Sequence, residues 1–342
     1  MIPEPAVDLT YGQAIEAITE ALRAGPAVEG CPARSNIAAP GGELLLMPAV
    51  LDGVRGGVRS GSATGGDAPG GAAAAGPVAY AGVKIAGVAP ANPAVGLPRI
   101  TGSYLLLDGT TLVPLALLDG PALTTLRTPA VTAVALHRLA VPDASHLVLF
   151  GAGPQAFGHL EAVREVRPLR RVTVVARRAA AAEALVGHAR ELGLAAQVGE
   201  PTAVAEADLV ICCTTANEPL FDGTLVPDHA AVAAVGSHSP TVREVDSALV
   251  ARAACYVEAR SVAAREAGDL LLAAADGVTA VERWTNLEEL VAGEAAGSGV
   301  GAGNGMGAPV AVDRPRFFKS VGMAWEDLAV AAEVYRRYRA FP

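Results

Sequence analysis

The chain has 342 residues, with 26 Lys and Arg against 35 Asp and Glu, a formal net charge of −9. That length suits two domains of common size, and the acidic balance leaves no sequence-wide footprint for nucleic acid or an anionic membrane. Hydrophobic residues at 51% against 18% charged exclude a disordered chain.

In chain order, Met1 to Asp8 holds Glu4 and Asp8 but no cationic flank or apolar core of a secretory signal. No run approaches the roughly 18 apolar residues of a membrane span. The cysteines Cys31, Cys212, Cys213 and Cys255 make neither a CxxC pair nor a metal spacing. A cytoplasmic, reducing setting without a metal is the expectation. Thr10-x-x-Gln13 is a capping box, and Ile15, Ile18 and Leu22 recur at helical spacing until Gly25-Pro26, which predicts an opening amphipathic helix.

Leu44 to Met47, Ala79 to Ala86, Ser103 to Leu107 and Val113 to Leu118 are short apolar runs divided by turn signals such as Asp108-Gly109 and Asp119-Gly120. They predict a mainly antiparallel sheet. Two glycine-rich segments, Gly53 to Gly76 and Gly293 to Gly307, read as surface insertions. Thr128-Pro129 predicts a helix start, with Arg127 just ahead of its N-terminus. From there strand and helix alternate through Val148–Phe150, Val172–Ala176, Leu209–Cys213, Ala231–Val235 and Ala254–Val257, the rhythm of a doubly wound parallel sheet. Phe317 to Arg339 reads as a final helix that packs back on the first domain.

The strand His146 to Phe150 runs into Gly151-Ala-Gly153-Pro154-Gln155-Ala156 and then a helix. This is a dinucleotide turn: Gly151 permits the bend, Gly153 lets backbone approach a pyrophosphate, and Ala156 is small where helix and strand pack closely. Where an NAD site usually places an acid to bind the ribose hydroxyls, the second strand here ends in Arg177-Arg178. Two guanidiniums suit a 2′-phosphate, so NADPH is expected over NADH. Thr214 and Thr215, after a further strand, are expected beside the cofactor.

Four ordered motifs then resemble the ornithine cyclodeaminase and mu-crystallin family: Leu126-Arg-Thr-Pro-Ala-Val-Thr-Ala133, the Gly-Ala-Gly-Pro-Gln-Ala turn, Val235-Gly-Ser-His-Ser-Pro240 and Phe318-Lys-Ser-Val-Gly322. The resemblance covers nearly the whole chain. It implies a Rossmann domain (residues 128–314) and an N-terminal α+β substrate and dimerisation domain (residues 1–127) completed by the C-terminal helix (residues 315–342). A homodimer is implied with it.

Arg34, Lys84 and Arg127 are cations at or beside apolar segments, where a charge needs an anionic partner. The resemblance makes them ligands of an amino-acid α-carboxylate, with Lys84 close to the reacting nitrogen. Met47 is expected as a pocket wall, and Ser320 to Gly322, at the start of the last helix, as a segment approaching the nicotinamide. Cyclodeaminases of the family carry an aspartate where this chain has His238. Imidazole serves a cationic amine poorly but, near its ordinary pKa, could donate a proton to an imine; capping or packing its own loop fits it equally. Glu266, Asp269 and Asp327 also resemble family positions, and helix capping is the role read for them first. The other five histidines read as structural. Three functions stand: an NADPH-dependent reductase of an α-imino acid or cyclic ketimine, taken first, an ornithine or lysine cyclodeaminase, and a binding protein without turnover.

Overall fold

The computed structural model describes residues 2–24, 28–54, 78–296 and 313–340. The Gly25-Pro26 stop and the glycine-rich stretches beyond residues 54 and 296 lie outside them. The first helix, α1 (Tyr11–Ala24), opens on the expected capping box: Gln13 N donates to Thr10 Oγ1 at 3.2 Å, and Thr10 N donates back to Gln13 Oε1 at 3.0 Å. Its buried stripe of Ala14, Ala17, Ile18, Ala21 and Leu22 covers a sheet.

That sheet is antiparallel with strand order β1-β2-β3-β4-β5: β1 (Ser35–Ala39), β2 (Gly42–Val54), β3 (Val78–Val88), β4 (Ile100–Asp108) and β5 (Pro114–Asp119). Alternation sorts its side chains. Met47 and Lys84 pair in register and are buried, whereas their neighbours Leu46 and Ile85 pair on the opposite face, where Ile85 is exposed.

The next helix, α2 (Gly120–Leu139), starts nine residues earlier than Thr128-Pro129 suggests. Asp119 is the true cap, accepting from Ala122 N at 2.6 Å, and Pro121 occupies the first turn. Pro129 therefore sits inside the helix, at a cost of about 3 kcal/mol. Burial of Leu126 through Leu136 offsets that cost. Arg127 is thus a mid-helix residue, so no helix N-terminus adds to its charge.

The parallel sheet has the order β12-β11-β13-β10-β9-β6-β7-β8. Its members are β6 (His146–Phe150), β7 (Arg171–Val175), β8 (Ala195–Val198), β9 (Leu209–Cys212), β10 (Ala231–Ala234), β11 (Ala254–Val257), β12 (Thr285–Asn286) and β13 (Arg316–Lys319). Helices α3 (Pro154–Arg164), α4 (Ala179–Glu191), α5 (Ser247–Arg252), α6 (Arg260–Glu266), α7 (Gly268–Ala275) and α8 (Leu287–Ala296) alternate with them. The fold is α/β, a doubly wound parallel sheet beside an antiparallel one.

Residues 316–319 correct the expectation of one helix from Phe317. They form a strand between β10 and β11, and the last helix, α9 (Ala324–Ala340), begins only after the Ser320–Met323 loop. Arg316-Phe-Phe-Lys319 is too short for either period to declare itself, so periodicity alone does not separate it from the helix that follows. Helix α9 returns across the molecule to pack on β2, β3, α1 and α2.

Candidate functional site

The dinucleotide turn forms as its residues require. Gly151 adopts φ +106°, and a Cβ there would lie 2.6 Å from the Cys213 carbonyl oxygen. Gly153 caps α3 with Pro154 next, and nothing lies within 4 Å of where its Cβ would be. Ala156 is fully buried. A Cβ on Gly158 would meet Tyr11 Oη at 2.6 Å and Pro129 Cγ at 2.8 Å, so this glycine, not singled out from the sequence, lets α3 lie against α2.

A cleft of about 830 Å³ opens beside the turn, lined by Gly151, Gly153, Arg177, Arg178, Thr214 and Thr215 among others. Its glycine floor, open space at Gly153 and helix N-terminus fit a dinucleotide. Arg177 and Arg178 are exposed, and Arg177 Nη2 reaches Thr215 Oγ1 at 3.5 Å. The Thr214 hydroxyl donates to Glu244 Oε1 at 2.7 Å. Burial raises the Glu244 carboxyl pKa; this side chain also accepts from Gly236 N at 2.7 Å and so ties the loops after β9 and β10 together.

The three predicted cations do converge, but each has an acid from its own chain. Lys84 Nζ on β3 lies 2.9 Å from Asp327 Oδ1 and donates to Thr124 Oγ1. Arg127 Nη1 lies 2.6 Å from Glu326 Oε2, with Nε 3.4 Å from Asp327 Oδ1. Arg34 Nη2 lies 2.8 Å from Glu266 Oε2 and donates to the carbonyls of Val321 and Gly322 at 2.8 and 2.7 Å. The need for an anionic partner is met inside the chain: the apolar surroundings that make a lone cation costly make a neighbouring carboxylate necessary. The capping reading of Glu266, Asp269 and Asp327 falls with it, since Asp269 pairs with fully buried Lys319 at 2.9 Å and accepts from Glu244 N.

Burial lowers the Lys84 pKa, against the pull of Asp327, and a lowered pKa makes its ammonium a readier proton donor. Burial opposes the Arg127 charge too, yet the neighbouring acids, Asp327 first, outweigh it and hold that pKa above its usual value. His238 behaves otherwise than expected. Solvent reaches part of the ring, but desolvation of the rest and the facing cations Arg34, Lys319 and Arg127 push its pKa down to about 4. It is neutral near pH 7, so it is no ordinary-pKa proton donor.

The Ser320–Gly322 loop is buried and held from both sides. Glu258, just after β11, accepts from Ser320 Oγ at 2.6 Å, Val321 N at 2.8 Å and Gly322 N at 3.1 Å. Gly322 has φ +76°, and a Cβ there would lie 2.7 Å from Arg127 Nη1. A narrow crevice beside it is lined by Cys31, Arg34, Met47, Glu266, Gly322 and Met323. Thr124 connects this cluster to the dinucleotide turn: its hydroxyl receives Lys84, and its carbonyl accepts from Gln155 Nε2 at 3.4 Å. Thr124, Glu258 and Glu326 escaped the sequence reading because their partners are distant in the chain. Among the described residues no cluster of His, Cys, Asp and Glu could hold a metal ion, and no helix is long and apolar enough to cross a membrane.

Comparison with known proteins agrees with this architecture. The ketimine reductase mu-crystallin of Rattus norvegicus is 34% identical over 240 residues, covering 70% of this chain and 70% of that protein. The structure of Thermococcus litoralis Delta(1)-pyrroline-2-carboxylate reductase in complex with NADH and L-proline superposes with a TM-score of 0.80 at 26% identity, over 97% of this chain and 94% of that one. An archaeal alanine dehydrogenase dimer with bound NAD gives a TM-score of 0.81, also at 26% identity, over 97% and 92% of the two chains. The model of the ornithine cyclodeaminase/mu-crystallin family matches residues 72–340, and the chain belongs to that family.

Proposed function

We propose that the protein is an NADPH-dependent reductase that converts an α-imino acid, cyclic ketimines included, to the amino acid. The observation that carries this reading is the Thr124 bridge, which puts the cluster of Arg34, Lys84 and Arg127 directly against the dinucleotide turn. The names and bound ligands of the similar proteins support a nicotinamide-dependent reaction at a C–N bond. In the cleft, Gly151, Gly153, Pro154, Gln155 and Ala156 cradle the pyrophosphate, and Arg177 and Arg178 receive the 2′-phosphate. When bound, the reduced nicotinamide supplies the hydride.

The chain supplies orientation and charge. Arg127 and Arg34 present guanidinium forks to the substrate carboxylate, and Lys84 Nζ delivers a proton to the imine nitrogen, steadied by Asp327 and Thr124. His238, neutral, offers the substrate a hydrogen bond without a charge. Ser320 to Gly322, braced by Glu258, form the wall facing the nicotinamide.

Glu266 keeps a cyclodeaminase as the second reading, because it is an acid lining the crevice with Arg34 and Met47, the kind of group a substrate amine would need. Following NADPH absorbance with keto acids plus amines tests both. Net consumption supports the reductase; ammonia release from ornithine or lysine without net consumption supports the cyclodeaminase; neither outcome leaves a binding protein. The Arg177→Asp variant should bind NADPH far more weakly and NADH almost as before, each lost charge-assisted bond costing roughly 1.5–3 kcal/mol. Equal wild-type affinity for both nucleotides would rule out the phosphate assignment.

A further inference from the structure

Two consecutive acids in the first turn of α9 sit in the same cation cluster with different partners. Asp327 takes the cations Lys84 and Arg127 on one oxygen. Glu326, fully buried, accepts from Arg127 with Oε2, but its Oε1 has no donor at all in the protein. The Glu258 and Glu326 side chains are within hydrogen-bonding reach of each other. Both Glu258 oxygens are already acceptors, from Ser320 Oγ and the amides of Val321 and Gly322. Two carboxyl groups can share a hydrogen bond only if one carries the proton, and Glu258 with its several donors is the better carboxylate.

We propose that Glu326 is a positioning residue of the anion site, tying Arg127 to the Glu258 loop through a carboxylic-acid proton rather than through its own charge. A neutral Glu326 accepts one guanidinium hydrogen and donates to Glu258. It fixes Arg127 beneath Gly322 without cancelling the charge that a substrate carboxylate must meet. An ionised Glu326 would hold Arg127 equally well and neutralise it. The groups facing Glu326 are Arg127 from α2, Glu258 after β11, Asp327 on its own helix, Lys84 from β3 and the Cys31 thiol ahead of β1. Burial first, then Glu258, raises the Glu326 pKa well above the carboxylate range. As pH rises through that value the proton leaves and the site gains a negative charge. Above that value a substrate anion therefore binds together with a proton, and below it the proton is already in place.

The inference rests on the carboxylate-binding reading above, and its test separates the two. Binding of pyrrole-2-carboxylate and of its amide to the NADP-saturated full chain is measured calorimetrically over a pH series, for wild type and Glu326→Gln. The wild-type affinity for the acid should fall by about tenfold per pH unit once the pH passes the raised Glu326 pKa. The glutamine variant, neutral at every pH, should match wild type at neutral pH to within about threefold and show no such fall. A tenfold or greater loss in Glu326→Gln at neutral pH, or the same fall with pH in both proteins, overturns the assignment. If acid and amide bind wild type equally at all pH values, the carboxylate reading fails instead. The proton has its own readout in the ligand-free protein: an infrared band of a protonated carboxyl at neutral pH that disappears in Glu326→Gln. Absence of that band from wild type overturns the proposal whatever the ligand does.

Discussion

At the scale of single residues, the cluster around Arg127 separates charge from shape. A lysine at that position keeps the charge but gives up the planar fork that spans Glu326 and Asp327 and lies beneath Gly322. Arg127→Lys should lower kcat/KM on the best imino acid by at least about tenfold, roughly 1.4 kcal/mol of transition-state stabilisation, while the affinity for NADPH stays near wild type. Parallel steady-state kinetics and nucleotide titration check this, and unchanged kcat/KM would remove Arg127 from the substrate site. The cations themselves were readable from the sequence, because a charged residue in or beside an apolar run announces a special environment. Their acids were not. Glu326 lies 199 positions from Arg127, and Asp327 lies 243 from Lys84. In a one-dimensional pattern the two look like ordinary first-turn acids of a helix. The His238 expectation failed for a related reason: a pKa depends on which cations face the ring, and Arg34, Lys319 and Arg127 come from three separate parts of the chain.

At the scale of elements, motifs with local geometry were the readable ones. The capping box of α1 and the Gly151 turn need only residues a few positions apart, and both formed as expected. The α2 start was misplaced because Thr128-Pro129 is as good a local signal as Asp119-x-x-Ala122, and burial of the whole helix decided between them. The loop between β13 and α9 tests how tightly an element junction is specified. Gly322→Ala puts a methyl in a left-handed conformation, costing about 1–2 kcal/mol, and presses it on the Arg127 guanidinium. Thermal unfolding should shift down accordingly and imino-acid KM should rise, with NADPH affinity little changed. An alanine variant with wild-type Tm and KM would show that the loop is not braced against Arg127.

At the scale of the molecule, the described residues cover one face of the antiparallel sheet and leave the other bare. Leu45, Met47, Tyr104 and Leu106 point into the core beneath α1 and α9. On the other face Val50, Ile37 and Ile85 are 63%, 47% and 44% exposed, with half-buried Val83, Leu105 and Leu117 in register between them. Such an apolar surface calls for a cover, and we propose a second copy of the chain about a twofold axis, the homodimer that the family resemblance implied. Light scattering at micromolar concentration should give a dimer for wild type and a monomer for Val50→Glu/Ile85→Glu; a wild-type monomer refutes the assignment. The position of β13 has a consequence of another kind. This strand is the last of the sheet to be synthesised, yet it lies between β10 and β11 with hydrogen-bonded neighbours on both sides. Until Arg316–Lys319 has left the ribosome, β11 and β12 have no strand to join them to the rest of the sheet. Final closure of the parallel sheet therefore waits for almost the whole chain, long-range pairing of the kind that slows folding. A nascent chain stalled, or a product cut, just before Arg316 would lack not a trailing helix but the keystone of its larger sheet.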